Sequence, residues 1–275
     1  MSILLNCRQN ANADAPGTKD LPARTLRDVS YGNDSAQRMD IYLPAGRSED
    51  STKVLVLIHG GGWNSGSKSD FISYIDSFRK RMPDYAIFNI NYRLVNGTNL
   101  FPAQEKDVRA ALSFISGHAM EYAVSRNKIV LLGASAGAHL ALLQAYKYSD
   151  PSVLAVIDFF GPTDLTAMYQ HPWHPLVPYA LQMITGTTPS GNPDLYFQSS
   201  PINFISSSST PTLIFHGSND PVVDLSQSKA LKSKLEKARV KNELVVYPGQ
   251  RHGWNGSILS NSFDRIEKFL KENIR

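Results

Sequence analysis

The sequence predicts an α/β protein with a mostly parallel, eight-stranded sheet and helices on both faces. Short apolar runs alternate with longer segments in which apolar residues recur every three or four positions, the pattern of strands connected by covering helices. The chain has 275 residues, of which 42% are hydrophobic and 19% charged. That length and composition favour one large domain with enough apolar side chains to cover both faces of a sheet.

The predicted strands are short apolar runs bounded by turn-forming residues. They lie at 25–30, 38–43, 53–58, 85–90, 128–132, 153–159, 211–216 and 243–247. Only a short turn separates the first two strands, so we expect them to pair antiparallel before the parallel part begins. Helices are predicted at 70–81, 104–124, 136–147, 226–239 and 260–273.

The interval 161–209 interrupts this alternation, because it contains no convincing strand and many prolines. Loops of this length in compact domains are usually lids or binding elements. Its aromatic residues argue against disorder, and its prolines argue against a long amphipathic helix. We therefore expect a compact cap over a small pocket, with Trp173 and Tyr179 among its walls.

The N-terminal 1–23 is predicted to be a disordered segment or tether, which leaves 24–275 as the domain. Apolar residues precede Cys7 and a polar stretch follows it, as in the tail of a bacterial lipoprotein signal. The alternative is a plain disordered terminus. Localisation therefore stays open between a soluble cytoplasmic protein and a truncated lipoprotein or periplasmic protein.

Charge and cysteine content exclude several function classes. The net charge of +4 comes without any run of Lys and Arg interleaved with aromatics, so no nucleic-acid partner is expected. A single cysteine excludes an intramolecular disulfide and a multi-cysteine metal site, and we expect no metal or cofactor. No apolar run is long enough to span a bilayer. The oligomeric state stays open.

The segment GASAG, from Gly133 to Gly137, lies between a predicted strand and a predicted helix. A nucleophile at such a sharp turn adopts a strained backbone, and small flanking residues let the strand and the helix approach. Ser135 is therefore the candidate nucleophile. The amide of Ala136, the next residue, is a candidate donor to an oxyanion.

The segment HGGGW, from His59 to Trp63, directly follows the strand at 53–58. Three consecutive glycines weaken a helix or strand, so one interpretation of this segment is a flexible turn without a catalytic role. The other interpretation is that their backbone amides donate hydrogen bonds to a developing oxyanion, with Gly61 and Gly62 as the donors. The ring of Trp63 is then expected to hang over the site, although ordinary packing is the alternative.

A serine hydroxyl needs a base to take its proton and an acid to orient that base. Asp220 follows the strand at 211–216, at the sheet edge where α/β proteins assemble their sites. Asp224 competes with it but is placed to cap the next helix. His252 follows the last predicted strand, which completes the chain order Ser, Asp, His.

Several segments in combination resemble the esterase/lipase family of the α/β-hydrolase fold, and in particular its small acetyl and feruloyl esterases and kynurenine formamidases. They are MDIYLP (39–44), HGGGW, NYRL (91–94), FPAQEKDVRAAL (101–112), GASAG, GPTDL (161–165), HGSNDPVV and the late HGW. The resemblance implies a supporting ion pair between Arg93 and Asp107. Ala134 departs from the hormone-sensitive-lipase-like branch, which usually has an acidic residue there.

The resemblance implies a serine carboxylesterase that forms an acyl-enzyme on Ser135 and then hydrolyses it with water activated by His252. The expected substrate is a small-molecule or saccharide-linked ester with a short-chain or aromatic acyl group. An amide hydrolase of the arylformamidase kind fits the motifs equally well. The alternative outside the enzymes is a binding module that has a hydrolase fold but no catalytic activity.

Overall fold

The computed structural model describes residues 21–274, and both Cys7 and most of the expected N-terminal tether lie outside them. The strands in this part of the chain are β1 Arg24–Ser30, β2 Arg38–Leu43, β3 Lys53–Ile58, β4 Tyr85–Ile90, β5 Ile129–Ala134, β6 Val153–Phe159, β7 Thr212–Gly217 and β8 Asn242–Tyr247. The helices are α1 Ile72–Arg81, α2 Ala103–Gly117, α3 Ala119–Tyr122, α4 Ala136–Lys147, α5 Leu165–Gln170, α6 Val177–Thr185, α7 Pro193–Gln198, α8 Leu225–Lys237 and α9 Gly256–Asn273.

The eight described strands form one sheet in the order β1-β2-β4-β3-β5-β6-β7-β8. β2 pairs antiparallel with both β1 and β4, and every later pairing is parallel. The predicted mostly parallel sheet with an antiparallel start is therefore confirmed. Because the parallel strands point the same way, the loops after β3, β5, β7 and β8 meet at one edge of the sheet.

Two apolar cores lie on opposite faces of this sheet. Along β3, Val56 and Ile58 face one core while Leu55 and Leu57 face the other, as the two-residue period of a strand requires. Helices α2, α4 and α8 contribute to the first core, and α1 and α9 contribute to the second. Helices on both faces were predicted, and this arrangement confirms it.

One predicted helix is divided in the structure. The segment 104–124 forms α2 and α3, with the break at His118 after Gly117. Glycine weakens a helix because its backbone loses the most conformational freedom on folding. The short α3 then ends at Ala123, which has a left-handed conformation with φ 51°.

The interval 161–209 forms only short helices, the longest of nine residues, which agrees with the expectation that its prolines prevent a long amphipathic helix. It contains α5, α6, α7 and a 3-10 helix at Pro201–Phe204, and no strand among its residues. Pro178 and Pro193 lie in the first turn of α6 and of α7, where a helix has no use for the missing N–H. In α6, Leu181 and Ile184 are buried while Met183 is exposed.

The described helices include none that is both long enough and apolar enough to cross a membrane.

Candidate active site

Ser135 occupies the turn between β5 and α4 with φ 54° and ψ −120°. Residues other than glycine rarely adopt a positive φ, and such a conformation costs about 1–3 kcal/mol. Two backbone hydrogen bonds hold the turn: the Ser135 amide donates to the Phe159 carbonyl at 2.8 Å, and its carbonyl accepts from the His139 amide at 3.1 Å. Ser135 borders two surface depressions, which are described below.

Glycines on either side of Ser135 let α4 lie against the sheet. A Cβ atom on Gly133 would come within 2.3 Å of the Gly137 backbone, and one on Gly137 within 2.0 Å of the Ile58 carbonyl oxygen. Any side chain at these two positions would push α4 away from β3 and β5. The flanking glycines of GASAG are therefore packing requirements of the turn.

The glycine loop after β3 lies against this turn. A Cβ on Gly60 would come within 2.9 Å of the Ala134 carbonyl oxygen, and Gly61 and Gly62 have φ values of 104° and 57°. The amides of Gly61, Gly62 and Ala136 donate to no acceptor within residues 21–274. Three amides without protein partners beside Ser135 are the arrangement that can stabilise an oxyanion.

Asp220 is paired with His252 across the loops that follow β7 and β8. Its Oδ2 lies 2.6 Å from His252 Nδ1, and its Oδ1 accepts from the amides of Val222 at 2.7 Å and Val223 at 3.0 Å. Burial alone would raise the pKa of this carboxyl, but the hydrogen bonds from His252 and the two amides outweigh burial and lower the pKa. Asp220 is therefore an ionised acceptor that holds the Nδ1 proton of His252.

Asp224, the competing carboxylate, lies at the N-cap of α8. Its side chain accepts from the Ser226 amide at 2.8 Å. This is the ordinary use of an aspartate before a helix. The structure thus brings Asp220, and not Asp224, to His252.

His216 lies behind the Asp220–His252 pair and was not singled out as a site residue in the sequence. It is fully buried, and its Nε2 lies 2.9 Å from the Val223 carbonyl and 3.4 Å from Asp220 Oδ2. Its Nδ1 lies 2.7 Å from the Ser228 hydroxyl, which can donate to it. Burial lowers the pKa of His216, so a neutral imidazole supports the loop. Its position four residues before Asp220 was the available signal.

Phe160 is the second residue near the site that sequence reasoning missed. Its φ is 47°, and its ring centroid lies 4.4 Å from that of His252 and 5.4 Å from that of Trp254. The strained backbone turns the ring back against the imidazole. No local pattern in the sequence distinguished this phenylalanine from the apolar residues of β6.

Two depressions meet at Ser135. We call the first the catalytic cleft; its volume is about 340 Å³ and it is lined by Gly60, Gly61, Gly62, Asp70, Phe71, Tyr74, Ala134, Ser135, Phe160, Val222 and His252. We call the second the α6 groove; its volume is about 540 Å³, and apolar residues of α6, α5 and the preceding loop form most of its lining. A separate apolar cavity of about 140 Å³ adjoins the catalytic cleft and shares Phe71 and Tyr74 with it.

The three aromatic residues expected in the substrate pocket border the α6 groove, but Trp63 differs from the expectation. Only 5% of Trp63 is exposed, and its indole nitrogen lies 3.3 Å from His139 Nδ1. Burial lowers the pKa of His139 to about 4, so its neutral ring can accept that hydrogen bond. The indole is therefore anchored in the core beside the groove, whereas Tyr179 is 63% exposed at its rim and Trp173 donates to the Pro221 carbonyl at 3.2 Å.

The supporting ion pair implied by the resemblance is present. Arg93 Nη2 lies 2.6 Å from Asp107 Oδ1, and its Nε lies 2.9 Å from Oδ2. The buried Asp107 also accepts from the Arg93 amide and from the side chain of Gln37. This paired charge fixes the segment after β4 to α2 and does not border either depression.

Comparisons with known proteins agree with this geometry. The model of the BD-FAE family matches residues 39–235. Among curated proteins, the chain is 29% identical to the probable carboxylic ester hydrolase LipM of Mycobacterium tuberculosis, over 94% of this chain and 65% of LipM. It is 26% identical to the esterase LipC of the same organism, over 83% of this chain and 60% of LipC. The chain thus spans less than two thirds of the length of these relatives.

A solved structure resembles the chain along nearly its whole length. The truncated form of a carbohydrate esterase from gut microbiota superposes with a TM-score of 0.77 at 26% identity, covering 94% of this chain and 98% of that one. Esterase 2 of Thermogutta terrifontis, phosphonylated by sarin, gives the same TM-score of 0.77 at 23% identity, over 96% and 98% of the two chains. The architecture is therefore the α/β-hydrolase fold.

Proposed function

The chain belongs to the BD-FAE family, and on that premise we propose that it is a serine carboxylesterase that works through an acyl-enzyme on Ser135. The observation that carries the proposal is the Asp220–His252 hydrogen bond of 2.6 Å at the cleft that Ser135 and the glycine loop share. We also propose that 24–275 forms one hydrolase domain, with 161–209 as its cap.

The proposed reaction begins when His252 Nε2 takes the proton of the Ser135 hydroxyl as its oxygen attacks the ester carbonyl. Asp220 keeps the other imidazole nitrogen protonated, so Nε2 is free to accept. The amides of Gly61, Gly62 and Ala136 receive the negative charge that develops on the carbonyl oxygen. The bond from the acyl carbon to the alkoxy oxygen then breaks, and His252 gives its proton to that oxygen, so the alcohol leaves and the acyl-enzyme remains. Water next attacks the acyl carbon as His252 takes a proton from it; the bond to Ser135 Oγ breaks, His252 returns the proton to Oγ, and the acid is released.

Saccharide-linked esters are the proposed natural substrates. The carbohydrate esterase that resembles this chain supports that choice, and so does the open catalytic cleft, which leaves room for a polar alcohol. The short or aromatic acyl group expected from the sequence depended on a cap without a long amphipathic helix. Helix α6 has only nine residues, so a short or aromatic acyl group remains part of the proposal.

A fluorophosphonate probe and p-nitrophenyl acetate test the proposed function. We expect the probe to label Ser135 and the ester to give a burst of nitrophenol, as an accumulating acyl-enzyme does. Ser135→Ala should lose both, with activity reduced ~10³-fold or more. The exposed Ser207 provides a control, because Ser207→Ala should leave labelling and turnover unchanged. Residual activity within about tenfold in Ser135→Ala would show that another group is the nucleophile.

A further inference from the structure

We propose that the ester binds with its acyl group in the α6 groove and its leaving alcohol in the catalytic cleft, where Asp70 selects a hydroxyl-bearing alcohol. This inference rests on the proposed function. It assigns each half of the substrate to one of two depressions that meet at Ser135. It also gives a role to a carboxylate that the triad does not use.

The position of His252 decides the orientation. In acylation the bond from Ser135 Oγ to the acyl carbon forms, the bond from that carbon to the alkoxy oxygen breaks, and the proton taken by His252 passes to the leaving oxygen. The leaving oxygen must therefore lie within hydrogen-bond reach of the imidazole. Of the two depressions, His252 borders the catalytic cleft and not the α6 groove, whereas Ser135 borders both.

The two depressions differ in which charged groups border them, because the Asp70 carboxylate and the His252 imidazole border only the catalytic cleft. The α6 groove is bounded by aliphatic and aromatic side chains, including Met168, Leu181 and Ile184 under the helix. Each methylene of an acyl chain that is buried against such a surface strengthens binding. Among the described residues, no acidic side chain, lysine, arginine or histidine lines the groove. Its lining therefore suits the apolar half of an ester.

The catalytic cleft instead carries the exposed carboxylate of Asp70. Asp70 belongs to the 3-10 helix Lys68–Phe71, where its Oδ2 is 3.3 Å from the Ser67 amide that it caps. Oδ1 has no hydrogen-bond partner within residues 21–274 and remains available to a ligand. A carboxylate is an acceptor only, so it favours a leaving group that presents hydroxyl donors.

Aromatic rings lie beside this carboxylate. Phe71 and Tyr74 line the cleft from the same 3-10 helix and the start of α1, and Phe160 lines it from the loop after β6. A sugar or polyol has both C–H faces that pack on aromatic rings and hydroxyl edges that donate to a carboxylate. The cleft thus combines the two contacts that such an alcohol needs, on the side from which His252 delivers the proton.

Two substrate series with pre-steady-state kinetics test the assignment. The alcohol leaves before water attacks, so a residue in the alcohol site affects acylation, while a residue in the acyl site also affects deacylation. We expect Asp70→Ala to lower kcat/KM for glyceryl or sugar acetates about tenfold more than for ethyl acetate. The deacylation rate of the common acetyl-enzyme should be the same with every alcohol and in both proteins.

Ala180→Trp tests the other half, since Ala180 is an exposed residue of the α6 groove. With p-nitrophenol as the constant alcohol, this variant should lower kcat/KM for hexanoyl relative to acetyl esters about tenfold and change the hexanoyl deacylation rate. The matched controls are Asp76→Asn on α1 and Gln182→Trp on α6, both exposed and outside the two depressions. Neither control should alter either preference.

The outcomes separate this inference from the proposed function. A change of acetyl-enzyme hydrolysis in Asp70→Ala, or a change of alcohol preference in Ala180→Trp, would reverse the orientation. A larger loss for a choline ester than for the sugar acetate in Asp70→Ala would show that the cleft selects a cation, which overturns the hydroxyl assignment. If the fluorophosphonate probe fails to label the unmodified enzyme, the proposed function itself is refuted.

Discussion

Replacing Asp220 with asparagine has a sharply defined effect in this structure. The carboxylate uses Oδ1 for the amides of Val222 and Val223, at 2.7 and 3.0 Å, and Oδ2 for His252 Nδ1 at 2.6 Å. An asparagine has to keep its oxygen toward the two amides, because its NH₂ group would otherwise face two N–H donors. Its NH₂ group then faces His252 Nδ1 and requires that nitrogen to be the acceptor.

The imidazole proton is thereby moved to Nε2, which can no longer take the proton of Ser135. The same substitution in Ser-His-Asp triads lowers kcat ~10⁴-fold, which corresponds to about 5.5 kcal/mol of transition-state stabilisation. We expect a loss of this size from Asp220→Asn. The asparagine cannot escape this loss by exchanging the positions of its oxygen and NH₂ group, because the two backbone amides require the oxygen to face them.

Asp224→Asn is the matched control. Asp224 caps α8 through the Ser226 amide at 2.8 Å, and asparagine caps helices as well as aspartate does. The kcat of Asp224→Asn for p-nitrophenyl acetate should stay within about twofold of the kcat of the unmodified enzyme. Steady-state kinetics from pH 6 to 9 on both variants, with urea unfolding to verify folding, provide the assay. Equal losses, or an Asp220→Asn loss below about tenfold, would refute the tautomer argument.

Two further predictions concern stability. Ser135→Gly should be about 1 kcal/mol more stable in urea unfolding than Ser135→Ala, because only glycine relieves the backbone strain at φ 54°. Equal urea midpoints for the two variants would show that the turn is unstrained. Burial raises the pKa of Asp158 from 3.8 to about 7, so the fold favours its neutral form. As the pH rises from 4 to 7, about 3 kcal/mol of unfolding free energy should therefore be lost. Asp158→Asn retains the acceptor for the Gly161 amide and should flatten that pH dependence; an unchanged slope in urea unfolding at pH 5, 6 and 8 would contradict the assignment.

Local patterns were sufficient for most of the fold. Strand β3 and helix α4 occur where the apolar runs and periodicities predicted them, because strand and helix preferences depend on residues close in the chain. The glycines around Ser135 could also be interpreted from the sequence, since their need for close approach belongs to the strand-to-helix turn itself. The short helices of 161–209 were not predicted, because a proline in the first turn of a helix is compatible with that helix.

Contacts between distant segments could be anticipated only in part. Candidates for the triad followed from chain order, but the hydrogen bond that joins Asp220 to His252 spans 32 residues and depends on where β7 and β8 end. Phe160 was missed because a turned phenylalanine has no local signature, and His216 was missed because its only signal was its position four residues before Asp220.

The sequence by itself determined where the strands lie along the chain, the strand-to-helix turn at Ser135 and the glycine loop, because each is encoded within a few consecutive residues. Only the tertiary structure decided that Trp63 is anchored in the core and that His252 borders one of the two depressions at Ser135. These features depend on how α6 and the loops pack over the sheet edge. Such packing is set by the shape and burial of side chains far apart in the chain, which residue order alone does not specify.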